Sequence, residues 1–391
     1  MRILIVSHGV SDQSLLGGPG RVAGIEAQEL ARRGHDIRVI TSDLIGKGSH
    51  AIAPTFERIS SPRLSVRHVH HVSARWWPGS LGPTLNPSAR PVLARCIAWA
   101  DVALAQEWQP SLTQIARRLA RRANVPFFVQ PHGSIRRRGG WKGAFHRVFY
   151  LLHPVHSSDQ FIASSERERD ELRVQLGPRT TIHVVSNPMS LPSLTEASPS
   201  VVSRRASWGL PRDARAIVFA HRIVPNKGLD LLIQALAALP KTDHLVVVGP
   251  EDHAPGFVER CRELSRLLRL NDRIHFMGPV PIEELDEVLL ASDVFVLPAR
   301  FDIFPMTVLH ALACGRPVVM TDACQSANAL GGAVQVARPT AHSLAETIAS
   351  LSPERTAQLK VAGPLLIQSS YSPSTTAAQL EAILSTRLTR N

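Results

Sequence analysis

The chain has 391 residues, 44% of them apolar and 19% charged, which is enough for two ordinary domains and too apolar for a disordered polypeptide. Its apolar runs are short and broken by charge, which excludes a membrane-spanning helix. The formal net charge of +12 lies wholly in the first half: residues 1–190 hold 25 Lys and Arg against 13 Asp and Glu, while residues 191–391 hold 19 of each. Two readings fit that asymmetry, an anionic partner (membrane surface, anionic acceptor or nucleic acid) and a merely solvated basic surface. Four cysteines, Cys96, Cys261, Cys314 and Cys324, show no CxxC or CxxH spacing. They argue for reduced thiols in a cytosolic protein, and against a zinc site or a disulfide framework.

The first residues, MRILIVSHG, are too short an apolar run for a secretory signal and read as a strand over 3–7. A loop with Gly17, Gly18 and Gly20 follows, then a helix over 21–33 that stops at Gly34, then a strand over 37–41. This is a βαβ unit with glycines at its first turn, where backbone N–H groups can approach a ligand closely. The spacing is not GxGxxG, so NAD is not implied, and the same glycines would also suit a plain flexible loop. Residues 43–87 are irregular, with one strand near 64–71; Trp76-Trp77-Pro78 reads as a packed loop or as an acceptor contact. A helix over 89–99, a strand over 102–106, an Arg-rich helix over 111–123 and a strand over 126–130 come next. The last strand ends in Pro131-His132-Gly133-Ser134. A histidine directly after a buried strand points into the same crevice as the glycine loop, which makes His132 a ligand candidate. Basic and aromatic residues then interleave: Arg136, Arg137, Arg138, Trp141, Lys142, Phe145, Arg147, Phe149 and Tyr150. Such a run suits a membrane interface, a nucleic-acid surface, or a helix with one solvated face. A strand over 160–163, a helix over 166–176 and a strand over 182–185 bring the chain to Asn187-Pro188. The Ser/Pro-rich stretch 190–202 reads as a linker.

The second half repeats the α/β alternation. A strand over 216–220 ends in His221-Arg222, and a turn brings in Lys227-Gly228 before a helix over 229–239. A strand over 245–248 ends in Gly249-Pro250-Glu251; after a helix over 255–268, a strand over 273–276 ends in Met277-Gly278. A helix over 282–291 leads to a buried strand over 294–297 and a loop with Arg300 and Asp302. A small-residue helix over 307–314 ends at Gly315. Strands at 317–320 and 333–336 and helices over 342–351, 352–362 and 374–388 complete the chain. Arg222 and Lys227, five residues apart across a strand-to-helix turn, can converge on one diphosphate, the first bidentately and the second as a point charge. No Asp-x-Asp, P-loop or GxSxG elbow occurs, so neither a metal-bridged diphosphate nor acyl-enzyme chemistry is supported.

FAHRIVPNKGLDLLIQAL, VVVGPE, RIHFMGPVP and SDVFVLPARFDIFPMTVLHALACGRPVV, with PHGS, SSERERDEL, VVSNP and the N-terminal glycine loop, resemble the retaining GT-B glycosyltransferases of family 4. The likeness runs in order over nearly the whole chain. It implies two Rossmann-like doubly wound parallel-sheet domains facing a central cleft: residues 1–188, a linker over 189–211, residues 212–370, and a helix over 371–391 crossing back to the first domain. It implies metal-independent transfer, with retention, from a nucleotide-diphosphate-sugar, and no cofactor. Carried over by position, Arg222 and Lys227 would hold the diphosphate, Gly17 and Gly18 would approach it, and His132 would touch the donor sugar. Met277 and Gly278 would lie beside the base, with Gly249 and Glu251 at a neighbouring strand end. The family pattern EGFGxxxxEA becomes Asp302-Ile303-Phe304-Pro305 with His310 at the second glutamate. Asp302 would contact the transferred sugar, Phe304 and Pro305 would line the donor, and His310 would stand where a carboxylate binds ribose. The expected acceptor is a glycan or lipid-linked hydroxyl in cell-surface polysaccharide biosynthesis, met by a cytoplasmic protein at the inner face of the membrane, without nucleic acid. The alternative is a non-catalytic GT-B-like subunit that binds a nucleotide-sugar or a partner transferase.

Overall fold

The computed structural model describes residues 1–8, 18–42, 44–46, 49–50, 57–58, 61–69, 72–73, 84–85, 89–135 and 153–386. Gly17, Trp76-Trp77-Pro78 and the basic-aromatic run 136–150 lie outside the described residues. The chain forms two units, Met1–Pro188 with Pro373–Asn391, and Met189–Ser372.

The first unit is built on strands β1 (Arg2–Ser7), β2 (Asp36–Ser42), β3 (Leu64–Val69), β4 (Val102–Gln106), β5 (Phe127–Gln130), β6 (Asp159–Ala163) and β7 (Thr181–Val184). They run in the order β7-β6-β5-β4-β1-β2-β3, all pairs parallel, with a short antiparallel strand Glu57–Arg58 at the β3 edge. The central strands are near-continuous apolar runs because helices cover both faces. One face is covered by helix α1 (Gly18–Arg32), which buries Val22, Ala23, Ala27 and Leu30 together with one acid, Glu26. Helices α2 (Ala89–Trp99) and α3 (Ser111–Arg122) pack with Trp108 and Phe161 in a second cluster. Arg117 of α3 donates to Asp159 (2.9 Å and 2.6 Å) at the start of β6, both side chains buried. Helix α4 (Glu166–Leu176) is capped by Ser165, which accepts from the Glu168 N–H.

The second unit carries strands β8 (Arg215–Ala220), β9 (Asp243–Val248), β10 (Ile274–Gly278), β11 (Val294–Leu297), β12 (Val318–Thr321) and β13 (Gln335–Ala337), in the order β10-β9-β8-β11-β12-β13, all parallel. Its longer helices are α5 (Pro199–Ser207), α6 (Leu229–Leu236), α7 (Pro255–Leu267), α8 (Leu285–Leu290), α9 (Met306–Ala313), α10 (Ala341–Ala349) and α11 (Pro353–Leu366). Order β9-β8-β11-β12 puts a switch point between β8 and β11, where the chain after β8 departs to one side and the chain after β11 to the other. Ligands of open α/β sheets bind at the carboxyl ends of strands flanking such a point.

Two segments behave differently from a simple two-block chain. The stretch expected as a linker holds α5, and Val201 and Trp208 are buried in the core of the second unit. Arg204 pairs with Glu287 (2.9 Å) and Glu284 of that unit, and Arg205 with Asp293 (2.9 Å). Ser198 followed by Pro199 at the first helical position starts this helix, so serine and proline here mark a helix start rather than a tether. At the other end, helix α12 (Pro373–Ser385) belongs to the first unit. Ala377, Leu380 and Leu384 join the cluster of Ala23, Ala27 and Leu30, and Glu381 pairs with Arg33 (2.6 Å). Among the described residues no helix is long and apolar enough to cross a membrane.

Trp208→Ala should lower the unfolding free energy by about 3–5 kcal/mol, the cost of deleting a buried aromatic side chain. Urea titration measures it; a loss below about 1 kcal/mol would return this segment to the role of a tether.

Candidate active site

In the second unit the loops after β8 and β11 meet at their backbones. After β8 the chain makes a single 3₁₀ turn, Pro225–Lys227, closed by Gly228 at φ +72°. A Cβ on Gly228 would stand 1.9 Å from the carbonyl oxygen of Pro298, and one on Gly249, at the end of β9, 2.0 Å from that of His221. Only glycine allows either approach. Arg300 fixes the junction: its N–H donates to the Asn226 carbonyl (2.8 Å), and its guanidinium forks onto Asp230 (2.7 Å twice).

This packing brings Lys227 to Asp302. Their side chains form an ion pair, with Lys227 buried at 5% exposure and Asp302 half-buried. Arg222 is exposed, and among the described residues its side chain has no hydrogen-bond or ion-pair partner. Burial holds the His221 imidazole well below its ordinary pKa, and Lys227 and Arg222 push it further the same way. The strand ends therefore carry one locked cation and one available cation around a neutral histidine. Asp302 also bridges to Cys324, and its carbonyl accepts from the Gln325 N–H (2.8 Å). The next loop leads into α9, whose first N–H groups have no intrahelical acceptor. The Thr307 hydroxyl there is buried with no hydrogen-bond partner. A helix start of this kind favours an anion.

Four other residues singled out in the sequence serve the fold. Phe304 sits in the core against Tyr371 (ring centroids 5.9 Å), and Pro305 is the residue before α9. Glu251 pairs with Arg262 of α7 (2.7 Å). His310 is buried and pairs through Nε2 with Asp286 of α8. The imidazole Nε2 finds a carboxylate on the neighbouring helix and is satisfied there. With Cys314 one turn on, Asp286 and His310 form a group of ligand types within 4.8 Å of one another, a spacing that could hold a metal ion. Met277 is 39% exposed, and Gly278 takes φ +74° with open space around it.

In the first unit Gly18 is the first residue of α1. Two adjacent strands, β4 and β5, are followed within two residues by non-glycine residues with left-handed backbone, Glu107 (φ +66°) and His132 (φ +47°), a costly conformation that clusters at functional sites. The turn at His132 is held by Ser134 N–H to Pro131 O (2.8 Å) and by Gly133 N–H to Glu168 (3.0 Å). Burial lowers the His132 pKa to about 4 and raises that of Glu107 to about 7. Behind His132 lie Gln106, Gln130 and Glu26, all buried, which pattern alone did not single out. Their signal was a carboxamide closing each of two buried strands and an acid on the apolar stripe of α1.

Two family models match successive parts of this chain: "Glycosyl transferase 4-like domain" over residues 17–188 and "Glycosyl transferases group 1" over residues 203–361. The chain is a group 1 glycosyltransferase. A curated relative, the D-inositol 3-phosphate glycosyltransferase of Xylanimonas cellulosilytica, is 29% identical over 309 residues, covering 75% of this transferase and 72% of the relative. Among solved structures, sucrose-phosphate synthase from Thermosynechococcus elongatus aligns over 100% of both chains with a TM-score of 0.78 at 18% identity. Anabaena HepE in complex with UDP and glucose aligns over 99% of this chain and 100% of its own with a TM-score of 0.75, also at 18% identity. These likenesses establish the GT-B fold class of this transferase.

Two expectations follow for the transferase. Gly228→Ala should destabilise it by about 2 kcal/mol or more, since alanine must both hold a left-handed backbone and displace Pro298; thermal unfolding reads this, and an unchanged midpoint would contradict the close approach. His132 has a folded pKa below its unfolded value, so its stabilising contribution is present above about pH 6.5 and lost as pH falls through about 4. The stability difference between wild type and His132→Asn, from urea titrations across that range, should shrink on acidification; a constant difference would mean that the ring is not held neutral.

Proposed function

We propose that this transferase moves a sugar, with retention and without a metal ion, from a nucleotide-diphosphate-sugar to a hydroxyl of an anionic glycan or lipid-linked acceptor in cell-surface polysaccharide biosynthesis. The observation that carries this reading is the Lys227–Asp302 pair beside Arg222, whose side chain has no partner among the described residues, at the β8 and β11 strand ends. A diphosphate leaving group develops negative charge as its bond to the sugar breaks, and fixed cations stabilise that charge without reorganising. Lys227 is held in place by Asp302 before any ligand arrives, so its position costs nothing at the moment of reaction. Arg222 supplies a planar fork for phosphate oxygens. In the proposed step the C1–O bond to the diphosphate breaks and a C1–O bond to the acceptor forms on the same face. The acceptor proton passes to the departing phosphate oxygen, so no separate base is needed. Cationic neutralisation by Lys227 and Arg222 does the work otherwise done by a divalent ion.

The curated relative's inositol phosphate and the UDP and glucose bound by HepE favour a uridine donor and a phosphate-bearing acceptor. The excess of basic residues in the first half suits an anionic acceptor and contact with anionic lipid at the inner face of the cytoplasmic membrane. His132 serves as a contact for a sugar hydroxyl.

A panel of UDP-, GDP-, ADP- and CMP-sugars, read by hydrolysis and thermal shift with and without EDTA, tests this. One donor class should respond, EDTA should change nothing, and the product anomer should match the donor by NMR. Lys227→Met should abolish turnover while Arg222→Ala lowers it by about 10²–10³-fold. A folded protein that responds to no donor sinks the transfer reading; EDTA-sensitive turnover sinks metal independence.

A further inference from the structure

Glu26, Gln106, Gln130 and His132 form one buried polar chain whose members come from α1, β4, β5 and the turn after β5. Gln130 Nε2 donates to Glu26 Oε1 (2.7 Å), and Gln106 Nε2 donates to Glu26 Oε2 (3.0 Å). Gln106 Nε2 also meets Gln130 Oε1, and Gln106 Oε1 meets His132 Nε2. Glu26, Gln106 and Gln130 are 2%, 0% and 3% exposed, so water cannot substitute for a lost partner.

Hydrogen-bond accounting leaves one solution. A carboxylate only accepts, so both carboxamides must turn their nitrogens toward Glu26. The second N–H of Gln106 is then used by the Gln130 oxygen, and the Gln106 oxygen is left facing His132. An oxygen can only accept there, so the imidazole must carry its proton on Nε2. In a neutral ring Nδ1 is then an acceptor. Among the described residues nothing else bonds to the His132 ring, so Nδ1 keeps an unused lone pair. Were Glu26 an amide, one of its ends would present N–H to a carboxamide N–H. The triangle of three side chains would then have no arrangement without a clash, and Gln106 would be released to turn over.

We propose that Glu26 is a positioning residue: through Gln106 and Gln130 it holds His132 as the Nε2–H tautomer, presenting Nδ1 as a hydrogen-bond acceptor to a sugar hydroxyl. The role suits a site that must accept from an O–H, because an Nδ1–H ring could only donate to the hydroxyl oxygen and would leave the hydroxyl proton without that acceptor. The tautomer itself depends only on the buried chain; its use depends on the reading of His132 as a sugar contact given above.

The first measurement is long-range ¹H–¹⁵N NMR of full-length protein labelled at histidine, at about pH 8, where an acid of pKa about 7 is ionised. The His132 signals are assigned by their loss in His132→Asn. Wild type should show the Nε2–H pattern; an Nδ1–H pattern overturns the proposal. Glu26→Gln, of equal size, and Gln106→Asn, one methylene too short to reach the ring, should each give a mixed or Nδ1–H pattern; an unchanged pattern in a folded variant also overturns it. Where the donor panel identifies a substrate, Glu26→Gln should lower kcat/KM for the donor by about tenfold, with binding of the free nucleoside diphosphate unchanged. A shifted tautomer with wild-type kcat/KM would overturn the sugar contact at His132 while leaving the transfer reading intact.

Discussion

An ammonium group is buried at the strand ends of the second unit only because a carboxylate meets it there. Lys227 comes from the turn after β8 and Asp302 from the loop after β11. Removing either would leave an uncompensated buried charge, which is far more costly than never having had the pair. The pair therefore requires that β8 and β11 be neighbours, that their loops be short, and that the backbones touch. Gly228 against Pro298 is that touch. The sheet order, the two positive-φ glycines at 228 and 249 and the Arg300 clamp on Asp230 all serve the one junction. Arg222 lies exposed beside it.

The first unit solves a similar problem with neutral groups. Among the described residues no cation pairs with Glu26, and burial lifts its pKa to about 7 against the pull of Gln130 and Gln106. Glu168 is likewise buried and raised, and spends its oxygens on Ser164 and on the Gly133 N–H of the His132 turn. Around His132 both the ring and the backbone are thus held by buried acids acting through hydrogen bonds. Polar networks of this kind are costly when partly satisfied, and here Glu26, Gln106 and Gln130 use one another and His132 as partners.

Much of the architecture was legible because buried parallel strands announce themselves. β4 and β11 match the ranges read from apolar runs residue for residue, and most other elements differ by one to three residues at an end. Gly315 does take a left-handed backbone after α9, at φ +62°. The second-unit site was half legible: position after a strand picked out Lys227 and Asp302, but assigned them to different parts of a ligand rather than to each other. His310 was read from its place in a motif, and the structure turns it to Asp286. Position in a motif says where a backbone runs; it does not say which neighbouring helix offers a partner. The stretch 189–211 failed for a related reason, since Ser198-Pro199 serves equally as linker composition and as a helix start.

By itself the sequence determined the alternation of strands and helices, the strand-end placement of Arg222, Lys227 and His132, and a resemblance of which the comparisons establish membership of the group 1 glycosyltransferases. Those depend on local periodicity and on residue order, which a chain carries in one dimension. Tertiary structure alone decided that Lys227 pairs with Asp302, that Phe304 is core, that His310 answers to Asp286, and that Glu26 reaches His132 through two glutamines. Each of these joins residues 20 to more than 100 positions apart on separate elements. Their energies come from burial and mutual desolvation, and both exist only once the elements have packed.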